Sequence, residues 1–273
     1  MRTAETVLAC CVVGLACFIG GQMSASGELK LWKAPAGNIA EVIVARDGAG
    51  VVIEHDDSVG GRSPGRSDAD TSTLSDLLNT ASKEASRRLR LGSQDTYMDD
   101  ILASRDSSIV RWHDRLANPV RVFVGSGSSL SNWKPDFIPV VRDAFDTWAG
   151  VGIPLRFLFV TDSAGAEVQV RFVDGFDNGT SGRTVWSRDV NYWLVNAEIQ
   201  LAIHHPGGGE VTPPQMRAIA LHEVGHLLGL DHAANPENIM SAHIRARELS
   251  EADRATARLV YSVPPGSIKS GQN

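Results

Sequence analysis

The residues with the clearest chemical content form one run, His222-Glu223-Val224-Gly225-His226-Leu227-Leu228-Gly229-Leu230-Asp231-His232. On a helix, positions four apart lie on one face about a turn from each other. His222 and His226 can therefore aim two imidazoles at one point. His232 stands six residues beyond His226, where a continued helix would carry it away. Gly229 resolves this, because glycine takes the positive-φ conformation that ends a helix and lets the chain turn back. Three neutral imidazoles suit Zn²⁺, which in catalytic sites keeps a fourth position for water and lowers the pKa of that water to about 7. Glu223, next to His222, projects beside such a metal and has the right character for a general base. No nucleophilic Ser or Cys is then needed. A zinc site serving stability alone has no use for a carboxylate beside an open position, so Glu223 argues against that reading.

The elements that must hold these residues follow from periodicity and capping. The active helix opens at Thr212-Pro213-Pro214-Gln215, a capping-box pattern with proline at the first helical position. Met216, Ile219, Ala220, Val224 and Leu227 give it an apolar side. A last helix opens at Ser250-x-x-Asp253, a second capping box. Upstream, Pro139, Val140, Val141, Ala144, Phe145 and Trp148 lie along another helix. Strands are expected at 120–124, 155–160, 168–173, 183–188 and 197–203, the third alternating Val-Gln-Val-Arg-Phe. The order strand, helix, several strands, helix, helix gives an α+β fold around one sheet.

The 273 residues leave room for one ordinary domain with extensions. Apolar residues at 42% and charged residues at 21% exclude a wholly disordered or multi-spanning chain, and the net charge of −6 argues against nucleic acid as a partner. All three cysteines, Cys10, Cys11 and Cys17, lie at the N-terminus, so the rest folds without disulfides. Arg2, the apolar run 7–21 and Ser24-Ala25-Ser26 describe an export signal over residues 1–26, too short to cross a bilayer comfortably. Gly14-Leu15-Ala16-Cys17 is similar to a lipoprotein processing site, so a lipid anchor or a retained signal is the one membrane attachment expected. Residues 27–106 read as an N-terminal extension or pro-segment. It holds a β-hairpin (Glu41-Val42-Ile43-Val44, then Val51-Val52-Ile53-Glu54), a linker at 60–70 and a helix from Thr73 through Leu89, and it has little to bury. Residues 264–273 read as a loose polar tail.

At 107–261 the chain resembles the metzincin metallopeptidases, most closely matrixin-like enzymes of the compact bacterial type. The resemblance rests on the extended histidine motif, on Asn238-Ile239-Met240-Ser241, and on Ala144-Phe145-Asp146-Thr147-Trp148. It rests further on Asn196-Ala197-Glu198-Ile199-Gln200-Leu201-Ala202 and Leu249-Ser250-Glu251-Ala252-Asp253. It implies a catalytic domain at 107–263 with the zincin-like (metzincin) fold: a twisted five-stranded mixed sheet, an active-site helix and a C-terminal helix. It also implies one catalytic zinc held by His222, His226 and His232, with Glu223 as general base and Met240 as a soft floor under the imidazoles. Protein or peptide substrates would lie extended along the edge strand at Thr184 to Ser187, in a monomeric enzyme. Ala218, one turn before His222, would leave the main specificity pocket deep and favour large apolar residues just after the scissile bond.

Several features depart from the animal-type pattern. Residues 174–196 contain no histidine for a second, structural zinc. Asp174-Gly175-Phe176-Asp177-Asn178-Gly179 offers the oxygen ligands of a calcium loop, with an ordinary polar turn the favoured reading. No cysteine lies between Gly27 and the histidine motif to act as the family's latch, which leaves Asp99 or Asp100 as candidates to reach the metal's open position. His204-His205 fit a solvated loop pair, and His243 is a candidate substrate contact. Two rivals of a different class are a non-catalytic, metal-containing peptide-binding module of the same fold and a zinc hydrolase of another amide or ester.

Overall fold

The computed structural model describes residues 41–44, 51–52, 80, 83–89 and 91–268. The signal region, the 60–70 linker and the last five residues lie outside these. The described elements are β1 (Glu41–Val44), β2 (Val51–Val52), α1 (Met98–Ser104), β3 (Ser108–Ile109), β4 (Arg115–Val124) and α2 (Phe137–Ala149). There follow β5 (Leu155–Val160), β6 (Val168–Val173), β7 (Gly182–Arg188), β8 (Leu194–Ala202), α3 (Pro213–Leu227), α4 (Glu251–Ser262) and β9 (Gly266–Ser267).

One mixed sheet carries the site, in the order β2-β1-β7-β8-β6-β4-β5. From β7 to β5 it is the expected five-stranded sheet, parallel throughout except that β7 runs antiparallel to β8. Alternation decides which face is buried. Val120, Val122 and Val124 of β4, Val168, Val170 and Phe172 of β6, and Ala197, Ile199 and Leu201 of β8 all point into the core. The helices α2 and α3 pack on each other there, and the Trp148 indole N–H donates to Leu221 O at 2.8 Å, tying one helix backbone to the other. Both capping boxes are formed, at Thr212 and at Ser250.

The N-terminal extension behaves differently from its sequence texture. Residues 83–89 are helical, as the leucine spacing predicts, but Ala85, Leu89, Tyr97, Met98 and Ile101 are buried in the same core as α2 and α3. These residues bury apolar surface against the C-terminal helix rather than forming a separate module. Of the expected hairpin, β1 and β2 are described and pair antiparallel, with Ile43 opposite Val52 and Val44 opposite Val51; its turn and Ile53-Glu54 lie outside the described residues. The tail is tied at its start, where β9 pairs antiparallel with β3.

Candidate active site

Helix α3 places His222 and His226 on one face, and each ring is fixed by its far nitrogen. His222 Nδ1–H donates to Ile239 O at 2.8 Å, and His226 Nδ1–H donates to Leu230 O at 3.1 Å. A carbonyl only accepts, so both Nε2 atoms are bare lone pairs, and they face each other at 3.1 Å. His232 joins them as predicted. Gly229 has φ +91°, and a Cβ there would overlap Val110 O, so position 229 requires glycine on two counts. The three rings stand 4.7, 4.9 and 5.3 Å apart between centroids, with one nitrogen from each within 4.8 Å of the others.

The donor set fits a tetrahedral zinc. Zn–N bonds of about 2.0–2.1 Å put ligand nitrogens about 3.4 Å apart, close to the observed spacing. Two bare acceptors in mutual contact are repulsive unless a cation lies between them. His232 Nε2 is moreover buried without a hydrogen-bond partner, an orphan that a metal would satisfy. Burial lowers the His222 imidazole to a pKa of about 4 and drives His226 well below its usual value, the other histidines adding to the latter shift. Both rings are thus neutral at pH 7, as metal ligands must be.

Glu223 lies beside this cluster, buried, against the inner face of β7. The Thr184 hydroxyl is 2.6 Å from Glu223 Oε2 and 3.0 Å from Glu223 O. Two residues earlier on the same face is Gly182, where a Cβ would come within 2.7 Å of both Cγ and Cδ of Glu223. The carboxylate therefore has a fitted seat, made by a hydroxyl and by the absence of a side chain. Met240 is fully buried under α3, its Sδ occupying the space a side chain at Gly225 would need, in agreement with its expected role as a floor.

The turn carrying His232 is braced from α1 and the residue after it. Arg105 donates from Nη1 to Gly229 O at 2.7 Å and from Nη2 to Leu230 O at 2.9 Å, while its Nε is 3.2 Å from Asp231 Oδ2. Ser104 donates to the same Oδ2 at 2.7 Å, and Asp231 Oδ1 accepts the His232 backbone N–H at 2.8 Å. Burial pushes the Asp231 carboxyl up, but the Arg105 charge, the neighbouring His226 and the hydrogen bonds from Ser104 and the His232 N–H together outweigh that and hold it below its ordinary value. On the other side, Asp253 Oδ2 accepts the N–H of Ile239 at 2.9 Å, so the N-terminus of α4 positions the residue whose carbonyl orients His222.

A cleft of about 890 Å³ opens over Glu223, His222 and His232 and is lined by Ala218 and Ile219 of α3 and by His243 and Arg245 beyond Met240. His205 also lines it, whereas His204 lies 3.1 Å from Asp174 and is engaged there. Asp99 and Asp100 are not in the cluster: among the described residues the group of metal donors is the three histidines alone, and Asp100 Oδ2 accepts the Ala234 N–H at 3.1 Å. The outer edge of β7, expected to be open to substrate, is paired with β1 in the register Val42 to Ser187 and Val44 to Val185. Sequence reasoning missed Thr184 as a partner of Glu223, along with Gly182, Ser104 and Arg105. An inward-facing Gly-x-Thr on an edge strand was the available signal for the first two.

A mixed sheet over a helix with three converging histidines and an adjacent glutamate is the arrangement of the metzincins. The family model described as Matrixin matches residues 176–262. The chain is also 30% identical over 143 residues to Metalloendoproteinase 1-MMP of Arabidopsis thaliana, an alignment covering 48% of this chain and 39% of that protein. The chain carries a matrixin-like metzincin domain, in a family that implies zinc at a three-histidine site. It spans well under half the length of the plant relative it matches.

Proposed function

We propose that this chain is a zinc-dependent endopeptidase of protein or peptide substrates, exported from the cytoplasm through its N-terminal signal. The observation that carries the reading is the convergence of three imidazole nitrogens, one of them a buried orphan, next to a carboxylate seated by Thr184. His222, His226 and His232 would hold the metal. A bound Zn²⁺ supplies Lewis acidity there, polarising a carbonyl and bringing the pKa of a water to about 7. The other work falls to the chain. Glu223 takes the proton of the attacking water and delivers it to the departing amine. Thr184 holds one oxygen of that carboxylate, so the other is the one that receives the proton. The edge of β7 binds an extended backbone by strand addition, which tolerates many sequences. The cleft lined by Ala218 and Ile219 accepts a large apolar side chain after the scissile bond.

The rival is a non-catalytic binding module with the same site. Turnover of an unstructured protein, abolished by chelation, restored by Zn²⁺ and lost in Glu223→Ala with zinc content unchanged, supports the peptidase. Peptide binding without turnover at any zinc loading sinks it, and turnover confined to small acylated amides or esters points to another zinc hydrolase. Sequencing the N-terminus of the exported protein tests the signal, since a mature chain beginning at Met1 would refute its cleavage.

A further inference from the structure

The segment after Met240 alternates in exposure with a period of two. Ile244 and Ala246 are half-buried and pack against the core, whereas His243, Arg245 and Arg247 are exposed. Successive side chains of an extended chain point to opposite sides. The apolar pair therefore fixes the segment and leaves the three basic side chains on the other side, and residues 242–247 line the cleft. His205 also lines it, and among the described residues lining the cleft the one carboxylate is Glu223, which Thr184 holds. The chain as a whole carries a net charge of −6, so a basic lining at this place is a local feature and not the average of the surface. Glu248, the next acid in sequence, is taken by Arg217, whose Nη1 donates to Glu248 Oε1 at 2.8 Å and to Arg247 O at 3.1 Å. Neither Arg245 nor Arg247 forms an ion pair with any described residue.

We propose that Arg245 and Arg247 select acidic substrates, binding Asp or Glu carboxylates at the second and third residues after the scissile bond. This deepens the peptidase reading above and rests on it for turnover; the binding of an acidic peptide does not. Ala218 and Ile219 line the same cleft and accept the first residue after the bond, which leaves the basic segment to meet those that follow. A guanidinium presents a rigid fork of N–H donors that matches the two oxygens of a carboxylate. An exposed ion pair strengthens binding by up to about fivefold, so two together give about 5- to 25-fold. A cleft lined by charge of one sign also concentrates ligands of the other sign, an effect that salt screens. Contacts of this kind are made equally with substrate and transition state, so the selectivity falls on KM and leaves kcat little changed.

Two fluorogenic peptides test this, identical except for Glu-Glu or Gln-Gln at those two positions. Each is assayed with the full chain as wild type and as Arg245→Gln with Arg247→Gln, both zinc-loaded. Ionic strengths of about 0.01 M and 1 M are used, where the Debye length is about 30 Å and 3 Å. The readout is the Glu-to-Gln ratio of kcat/KM within each enzyme, which a general loss of activity does not move. Wild type should give a ratio of about 5 to 25 at low salt, carried by KM and falling toward one at high salt. The glutamine variant should stay near one at both, while Arg245→Lys with Arg247→Lys should keep a clear preference for Glu-Glu. A wild-type ratio near one at low salt overturns the selection, and a ratio retained in the glutamine variant overturns its assignment to these arginines. The same peptides are titrated against zinc-loaded Glu223→Ala by fluorescence anisotropy. If wild type turns over no peptide, the peptidase reading fails and the Kd values decide alone. Tighter binding of Glu-Glu by about 5- to 25-fold then upholds the acidic selection, and equal or absent binding overturns it.

Discussion

Replacing Thr184 by valine is the sharpest perturbation of the proposed chemistry, because it deletes one hydroxyl and keeps the shape. The Thr184 side chain is buried and has one proton to give, with Glu223 Oε2 at 2.6 Å and Glu223 O at 3.0 Å. The shorter contact falls in the range of a charge-assisted O–H···O⁻ bond, about 2.5–2.7 Å, so the carboxylate takes the proton. Hydrogen bonds to charged groups contribute about 1.5–3 kcal/mol. If that contribution is needed to hold Glu223 in its reactive position, its loss converts, at about 1.4 kcal/mol per decade, to a drop of roughly 10- to 150-fold in kcat. KM should stay within about twofold, since the Thr184 side chain meets the base from the inner face of β7 and the substitution leaves the strand's backbone edge unchanged. The assay is steady-state hydrolysis of a fluorogenic peptide, with bound zinc measured on the same samples and Thr184→Ser as the conservative control. Serine restores the donor and should recover kcat to within about threefold. A Thr184→Val enzyme with full zinc and wild-type kcat refutes the reasoning. So does a rise in KM alone, which would place Thr184 in substrate binding instead.

Other consequences are as definite. Arg105→Met removes the cation that braces Gly229, Leu230 and Asp231 around the third ligand, leaving the partly buried Asp231 charge with hydrogen bonds from Ser104 and the His232 N–H but no countercharge from residue 105. Competition with a chelator should show zinc affinity down about 10- to 100-fold, the usual effect of losing a group that orients a ligand; unchanged affinity would show that His232 needs no such brace. Gly225→Ala drives a Cβ into Met240 Sδ and toward Trp148, and overpacking of this kind costs about 1–3 kcal/mol in denaturant unfolding. An unaltered midpoint would mean that Met240 does not sit tightly under the helix. The pH dependence of the metal-free protein follows from His222. Its folded pKa of about 4 lies below the ordinary 6.5, so between those values the unfolded chain binds more protons. Stability is therefore full above pH 6.5 and falls as pH drops toward 4, by about 3 kcal/mol from this group. Urea titrations at pH 7, 6, 5 and 4 should show a shallower slope in His222→Gln, the remainder being carried by His226, and an undiminished slope would assign the acid sensitivity elsewhere.

Much of the site was legible because its logic is local. His222 and His226 are one helical turn apart, Gly229 ends that helix with positive φ, and the capping boxes at Thr212 and Ser250 act within three residues. Short spacings of this kind are constrained by backbone geometry whatever the rest of the chain does. The illegible part is carried by residues far apart in sequence. Arg105 reaches Asp231 across 126 positions and Thr184 reaches Glu223 across 39. Arg105 has no local pattern that announces a partner, and the Gly-x-Thr around Thr184 marks a special position without naming Glu223. The N-terminal extension was undervalued for the same reason, since Leu89, Tyr97, Met98 and Ile101 look sparse in sequence but meet a face supplied by α4 and its neighbours.

Asp253 shows why local reading stops short even where it succeeds. Its place in Ser250-x-x-Asp253 identifies it as a helix cap, and it is one, its Oδ2 accepting the Ser250 N–H at 2.8 Å. The same oxygen also accepts from Ile239 at 2.9 Å, and the other accepts from the Tyr97 hydroxyl at 3.1 Å. Burial lifts the Tyr97 phenol well above its usual value and the Asp253 charge adds to that, so the donor stays protonated throughout the working range. One carboxylate thus joins the segment before α1, the start of α4 and Ile239, the residue whose carbonyl orients His222. Asp253→Asn keeps one acceptor oxygen but leaves at least one of the N–H or O–H donors around it facing an amide NH₂. Zinc affinity should then fall along with stability, although residue 253 touches no ligand. A variant that unfolds more easily yet binds zinc as tightly as wild type would confine Asp253 to capping and break the path from α4 to the metal.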